Sequence, residues 1–225
     1  MKIFVINLDK ASDRWDRYKD DEKYTRWSAT HYDDLCDNHP IFNDMVSMWN
    51  IDPNEHNAKC GCYISHTRLY QYIVTNKIND VLILEDDAYL INDIPDTKDL
   101  PQDGFTYLGG LSYNKKLTDG PLKVEFENGI NKIDHKKYRM LMCLAIYIPH
   151  HRYAQKMLDS CTKRGRPRAI DTMILHSHCS QYVSYPASFL ERPEPSQIRK
   201  SKTKFSNSHY DRVTGKNIIE EMENK

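Results

Sequence analysis

The sequence predicts an α/β fold in which a mostly parallel central sheet is flanked by helices. Two apolar runs and the helix between them carry that prediction. Val81-Leu82-Ile83-Leu84 is a row of four aliphatic residues, half of them β-branched, as expected of a strand buried on both faces. Lys2 to Ile6 (Lys-Ile-Phe-Val-Ile) is a second such run after its first residue. Between them, Ile64, Leu69, Tyr72 and Ile73 fall on one face of a helix from Gly61 to Lys77. Strands alternating with helices imply parallel strands joined by helical crossovers.

The elements follow in order. The first strand ends at Asn7-Leu8-Asp9, and Ser12 or Asp9 is placed to cap a polar helix through Arg14, Trp15, Arg17 and Tyr18. Tyr24 to Ser28 reads as a short strand. Ala29 to Asn57 is polar and interrupted by Pro40 and Pro53. Cys60-Gly61-Cys62 opens the next helix, and the Val81 strand follows it. Phe105 to Leu108 is a short strand closed by Gly109-Gly110. Asn114 to Lys137 is hydrophilic and turn-rich, as in a hairpin or an excursion near a cleft. Arg139 to Ile148 is apolar and stops at Pro149, which predicts one more core strand. His150 to Thr162 is an amphipathic helix, Asp171 to Leu175 a short one, and Gln181 to Tyr185 a strand ended by Pro186. One domain over 1–225 is expected, with a basic tail, 196–225, that has no core of its own and must lie over the cleft or stay mobile.

Composition narrows the classes. The 225 residues balance 32 Lys and Arg against 32 Asp and Glu, which argues against general nucleic-acid binding. No apolar run approaches the length of a transmembrane segment. Without a secretory pattern, the six cysteines at 36, 60, 62, 143, 161 and 179 read as reduced, mostly buried thiols of a cytoplasmic protein. Cys60, Cys62 and His66 lack a fourth ligand at finger-like spacing, so the local pattern does not predict zinc.

Three carboxylates, Glu85-Asp86-Asp87, follow the Val81 strand at once. Unpaired charge is very costly inside a sheet, so the cluster must emerge at the strand's carboxyl end, where open α/β sheets bind ligands. A divalent cation would relieve the repulsion among them; a solvated acidic turn is the plain alternative. At the end of the first strand, Ile6, Asn7 and Leu8 with Arg14 offer groups to an anion or a nucleobase, against the alternative of an ordinary turn from strand to helix.

Several stretches together resemble one family. Phe4-Val5-Ile6-Asn7-Leu8-Asp9 with Ser12-Asp13-Arg14, Gly61-Cys62-Tyr63-Ile64-Ser65-His66, Leu82-Ile83-Leu84-Glu85-Asp86-Asp87-Ala88, Ala145 to Ile148 and Ile170-Asp171 match, in order, the motifs of glycosyltransferase family 25. The family includes lipopolysaccharide-type bacterial transferases, collagen galactosyltransferases and relatives in large viruses. The resemblance implies a GT-A-type nucleotide-sugar-binding fold. It also implies an inverting hexosyl- or deoxyhexosyltransferase that moves a sugar from a nucleotide-diphosphate sugar, with UDP the expected nucleotide, to a hydroxyl of a glycan or glycoprotein acceptor.

On that reading Glu85 and Asp87, two apart and so on one face of an extended strand, bind Mn²⁺ or Mg²⁺ at the donor's phosphates. Asp86 points the other way, to the ribose or sugar. Ile6, Asn7, Leu8 and Arg14 hold the nucleotide, and Ser65 shapes the site beside a structural role for Ser65 and His66. A manganese site often adds an imidazole, and His209 of the tail is the expected one, ahead of His176 and His178. Lys202 and Lys204 screen the pyrophosphate or remain solvated charge. Asp171 is the candidate general base, or else a plain helix N-cap. A non-catalytic sugar-nucleotide-binding domain and a metal-dependent phosphoesterase are the rival readings; the latter lacks the extra His and Asp clusters of a two-metal site.

Overall fold

The computed structural model describes residues 1–31, 53–109, 112–114, 127–134, 138–140, 144–163, 169–191, 210–211 and 216–217. The chain runs β1 (Lys2–Asn7), α1 (Ser12–Trp15), β2 (Tyr24–Ser28), α2 (Pro53–Thr75), β3 (Val81–Glu85), β4 (Ala88–Leu90) and β5 (Gly104–Gly109). It continues through β6 (Ser112–Asn114), β7 (Gly129–Lys132), β8 (Tyr138–Met140), β9 (Ala145–Ile148), α3 (His151–Lys163), α4 (Ile170–Leu175), β10 (Ser180–Tyr185) and β11 (Phe189–Glu191). Within the expected tail, β12 (Tyr210–Asp211) pairs with β13 (Lys216–Asn217).

The main sheet has the order β2-β1-β3-β9-β5-β10-β7, with β11 joining β5 to β4. The α/β class with flanking helices is present, and the sheet is mixed. β1 is parallel to β2 and β3, and β10 to β5, whereas β9 runs antiparallel to both β3 and β5. The reason is where the chain re-enters. β5 ends at Gly109, and β9 starts beside that point, with Ala145 opposite both Gly109 and Leu84. A strand that begins at the edge where its neighbour ends must run back the other way.

Each central strand divides its side chains between two cores with period two. Phe4, Ile6, Val81, Ile83, Ile146 and Ile148 face α2, α3 and α4, where Tyr63, Leu69, Tyr70, Ile73, Met157 and Met173 complete the packing. Ile3, Val5, Leu82, Leu84, Ala145 and Tyr147 face the opposite way, against Tyr18, Ala88, Leu100 and Phe189. Burial on both faces explains the unbroken apolar runs.

Three local expectations change. α2 is already under way at Cys60, because it starts at Pro53, a first helical position where proline's missing N–H costs nothing. α1 is one turn long with Ala11 as N-cap and no side-chain cap, so neither Ser12 nor Asp9 caps it. Asp9 instead accepts from Ser28 Oγ at 2.8 Å, tying the ends of β1 and β2 together. The stretch from Arg139 to Ile148 is split between β8, which pairs with β6, and β9, and the described part of the expected Asn114 to Lys137 excursion contains β7, an edge strand of the main sheet paired with β10.

At Gly109 a Cβ would stand 2.6 Å from the backbone oxygen of Phe189, its partner where β11 pairs in parallel with β5. Gly109→Ala therefore forces the two backbones apart. Overpacking of this kind should cost about 1–3 kcal/mol, read as a lower urea midpoint with an unchanged slope.

Candidate active site

The carboxyl ends of β1, β3 and β5 and the start of β9 share one edge of the sheet, and the acidic cluster sits on it. Period two decides where its members go. Ile83 faces the helices, so Glu85 does too; Asp86, one step on, turns to the opposite side, toward α1.

Asp86 is clamped there. Its Oδ1 accepts from Arg14 Nη1 at 2.7 Å and its Oδ2 from Asn7 Nδ2 at 2.8 Å. Asn7 is fully buried and its amide is used completely. Nδ2 also donates to Ala11 O at 3.1 Å, while Oδ1 accepts from Arg26 Nε at 2.9 Å and Nη2 at 2.6 Å. Arginine only donates and a carboxylate only accepts, so these partners fix which way the amide points. The Arg26 guanidinium lies over the Trp15 ring, and Tyr18 OH donates to Ala88 O at 2.6 Å, holding the turn that follows Asp86. Burial pushes the Asp86 carboxyl above its ordinary value, against Arg14 and Asn7, which pull it down.

Glu85 meets α2. Its Oε1 lies 3.3 Å from His66 Nε2 and 3.9 Å from Cys62 Sγ. Cys62 and His66 are four apart, so they occupy one stripe of the helix. Tyr70, four further on, places its hydroxyl 3.3 Å from His66 Nδ1. One donor atom from each of Cys62, His66 and Glu85 lies within 4.8 Å of the others, which makes the trio a candidate metal-coordinating cluster. Burial first, then the charges of Glu85, Asp171 and Asp87, push the Cys62 thiol well above its ordinary range. Asp87 also stands 3.9 Å from Arg14.

A family model described as "Glycosyltransferase family 25 (LPS biosynthesis protein)" matches residues 1–174. The chain belongs to glycosyltransferase family 25. No curated protein matches the chain. The family match runs from β1 into α4 and includes the clamp, the Cys62, His66 and Glu85 trio, Asp87 and Asp171.

Within this family member the sequence-predicted residues fall into three groups. Asn7, Arg14 and Asp86 come together as the buried clamp, with Ile6 paired to Glu85 in register and the Leu8 carbonyl accepting from Arg26 Nη2 at 3.2 Å. Glu85 lies beside Cys62, and Asp87 and Asp171 act on its thiol through their charges. Ser65 is buried on α2, where its Oγ donates to Gly61 O at 2.7 Å and accepts from the Thr30 N–H at 2.8 Å, fastening the segment after β2. Asp171 lies in the first turn of α4, but the N-cap is Ala169 with no side-chain cap, so the plain capping role does not hold. His176 and His178 lie between α4 and β10, whose start pairs with Gly104, so they belong to the opposite edge. His209 is outside the described residues, as are Lys202 and Lys204.

Sequence reasoning missed Arg26, which looked like an ordinary strand residue, and the joining of Cys62 and His66 to Glu85. The signal for the latter was the i, i+4 spacing; the third donor comes from another element and no local pattern contains it.

Removing Arg14 leaves a buried carboxylate without its cation. Arg14→Ala should lose about 3–5 kcal/mol at pH 7. The sign with pH follows from Asp86, whose carboxyl in the fold is raised above 3.8 and rises further without Arg14. The native state then holds the proton more tightly than the unfolded chain, so stability falls as pH rises through the folded value. The deficit of Arg14→Ala should therefore shrink on acidification toward pH 4, measured by urea denaturation of both proteins across that range.

Proposed function

We propose that the protein is an inverting, metal-dependent hexosyl- or deoxyhexosyltransferase that moves a sugar from a UDP-sugar to a hydroxyl of a glycan or glycoprotein acceptor. One observation carries the reading. In a member of this family, the carboxyl edge of the sheet gathers Glu85, His66 and Cys62 as a candidate ligand set, with the charges of Asp87 and Asp171 acting on Cys62.

The residues present fit a divalent cation. Glu85 offers an oxygen that points away from the clamp, and Asp87 lies in the same neighbourhood. An imidazole beside the carboxylate suits Mn²⁺ better than Mg²⁺, which prefers oxygen ligands and retained waters. When bound, such an ion neutralises the charge that develops on the departing diphosphate. His209, outside the described residues, is proposed as a further ligand, and the basic tail 196–225 as the cover of the cleft.

The remaining roles belong to the chain's own groups. Ile6, Asn7 and Leu8 form the ledge proposed for the nucleotide, and Arg14 sets its floor by holding Asp86, which is proposed to face the ribose or sugar. Ser65 shapes the site by joining α2 to the end of β2. Asp171 is proposed to take the proton from the acceptor hydroxyl as the bond to the sugar forms. A cytoplasmic, reducing location suits a site that carries the Cys62 thiol, and is part of the same proposal.

The test is UDP release from UDP-sugars with Mn²⁺, with and without a panel of glycan acceptors. Release that rises with an acceptor, and a glycosylated product of inverted configuration, are expected. Donor binding with no transfer to any acceptor would leave a sugar-nucleotide-binding domain instead. Asp171→Asn keeps the shape of the side chain and removes the base. Transfer should fall roughly a hundredfold or more while UDP affinity stays near wild type. Wild-type transfer by that variant would place the base on another residue.

A further inference from the structure

Sulfur beside Glu85 limits which metals this pocket prefers. Mg²⁺ takes oxygen ligands, whereas a thiolate with an imidazole and a carboxylate is a ligand set for zinc and its relatives. The spacing agrees. Around a tetrahedral ion with bonds of about 2.3 Å to sulfur and about 2.0–2.2 Å to nitrogen and oxygen, neighbouring ligand atoms stand about 3.3–3.7 Å apart. His66 Nε2 and Glu85 Oε1 are 3.3 Å apart, and Cys62 Sγ and Glu85 Oε1 are 3.9 Å apart. Octahedral Mg²⁺, with bonds of about 2.0–2.1 Å, would draw its ligands to about 2.9 Å. The other nitrogen of His66 faces Tyr70 OH at 3.3 Å, the outer hydrogen bond that metal-bound histidines usually have.

We propose that Cys62, His66 and Glu85 form a three-ligand site for a zinc-class divalent ion, with one coordination position left for an outside donor. Three protein ligands and an open position are the pattern of reactive zinc sites, in contrast to the closed four-ligand pattern of structural ones. Binding is balanced by one proton: the Cys62 S–H bond breaks, the proton goes to solvent, and the sulfur's electron pair forms the bond to the metal. The ligands are those of the proposed Mn²⁺ site, so the inference rests on the proposed function only in that zinc and Mn²⁺ exclude one another there.

Cd²⁺ is the probe, because its bond to a thiolate absorbs in the ultraviolet and it takes zinc's ligands. The full chain, stripped with chelator, is titrated with Cd²⁺ in the absence of sugar donor and acceptor. An absorption band saturating at one equivalent is expected, reversed by Zn²⁺ but not by Mg²⁺. Cys62→Ser should abolish it. Glu85→Gln, a change at a partly exposed strand end, should keep the band but raise the Cd²⁺ needed by roughly tenfold or more. No band in the wild type, an undiminished band in Cys62→Ser, or an unshifted titration in Glu85→Gln each overturns the site. Cd²⁺ binding without any sugar transfer would count against the proposed function alone. Mn²⁺-dependent transfer without Cd²⁺ binding would count against this site alone.

Discussion

The contact on which the rest of this edge depends is the clamp on Asp86. A buried carboxylate is an expensive group, and burial raises its pKa despite the two donors that hold it. Stability therefore does not account for Asp86. What the clamp supplies is position. Arg14 and Asn7 tie the turn after β3 to the end of β1, and Arg26 holds Asn7 from β2. Three adjacent parallel strands thus have their carboxyl ends locked to one another by side chains, where the sheet's own hydrogen bonds stop. Groups held this way lose little freedom when they meet a ligand, which is the condition for a preorganised site.

Consecutive carboxylates on an extended chain would repel if they pointed together. The strand's alternation and the two-sided core prevent this. Glu85 turns toward α2, where His66 awaits it, and Asp86 turns toward α1, where Arg14 does. Each of these two acids has a partner of different chemistry: an imidazole that can release its proton and ligate a metal, and a guanidinium that cannot. Two neighbouring residues of one sequence motif are thereby separated into one beside an imidazole and one fixed by a guanidinium. The mixed sheet assists, because β9 begins at this edge and its Ala145 presents no bulk there.

Much of the fold was legible because burial leaves a strong mark. Val81 to Leu84 and Lys2 to Ile6 had to be doubly buried strands, and the alternation of strands and helices gave the layers. The direction of β9 was not legible, since an apolar run reads the same in either direction; only the point of chain re-entry decides it. The break between β8 and β9 lay inside one apolar stretch for the same reason. At the site, the acidic cluster declared itself by its position after an apolar strand. The partner of Asp86 did not. Arg14 suggested a ligand contact from sequence; its guanidinium also pairs with Asp86, across 72 positions, and local spacing cannot reveal that pairing. Asp171 showed the converse: its place near a helix start was legible, but the N-cap was already Ala169.

α2 does two jobs with one periodicity, and this links the site to the core. Its inward stripe includes Tyr63, Leu69, Tyr70 and Ile73, which pack on β1, β3 and α3. The adjoining stripe of Cys62 and His66 reaches the sheet edge, and Tyr70 belongs to both. The imidazole is fully buried, so it cannot swing toward solvent when its partner changes. Glu85, partly exposed at the end of β3, is the member of the trio with room to move. The trio therefore offers a fixed nitrogen, a helix-held sulfur and one adjustable oxygen. Such a set is rigid, and its single adjustable carboxylate is the member that adjoins Ile6, paired to it in register on β1.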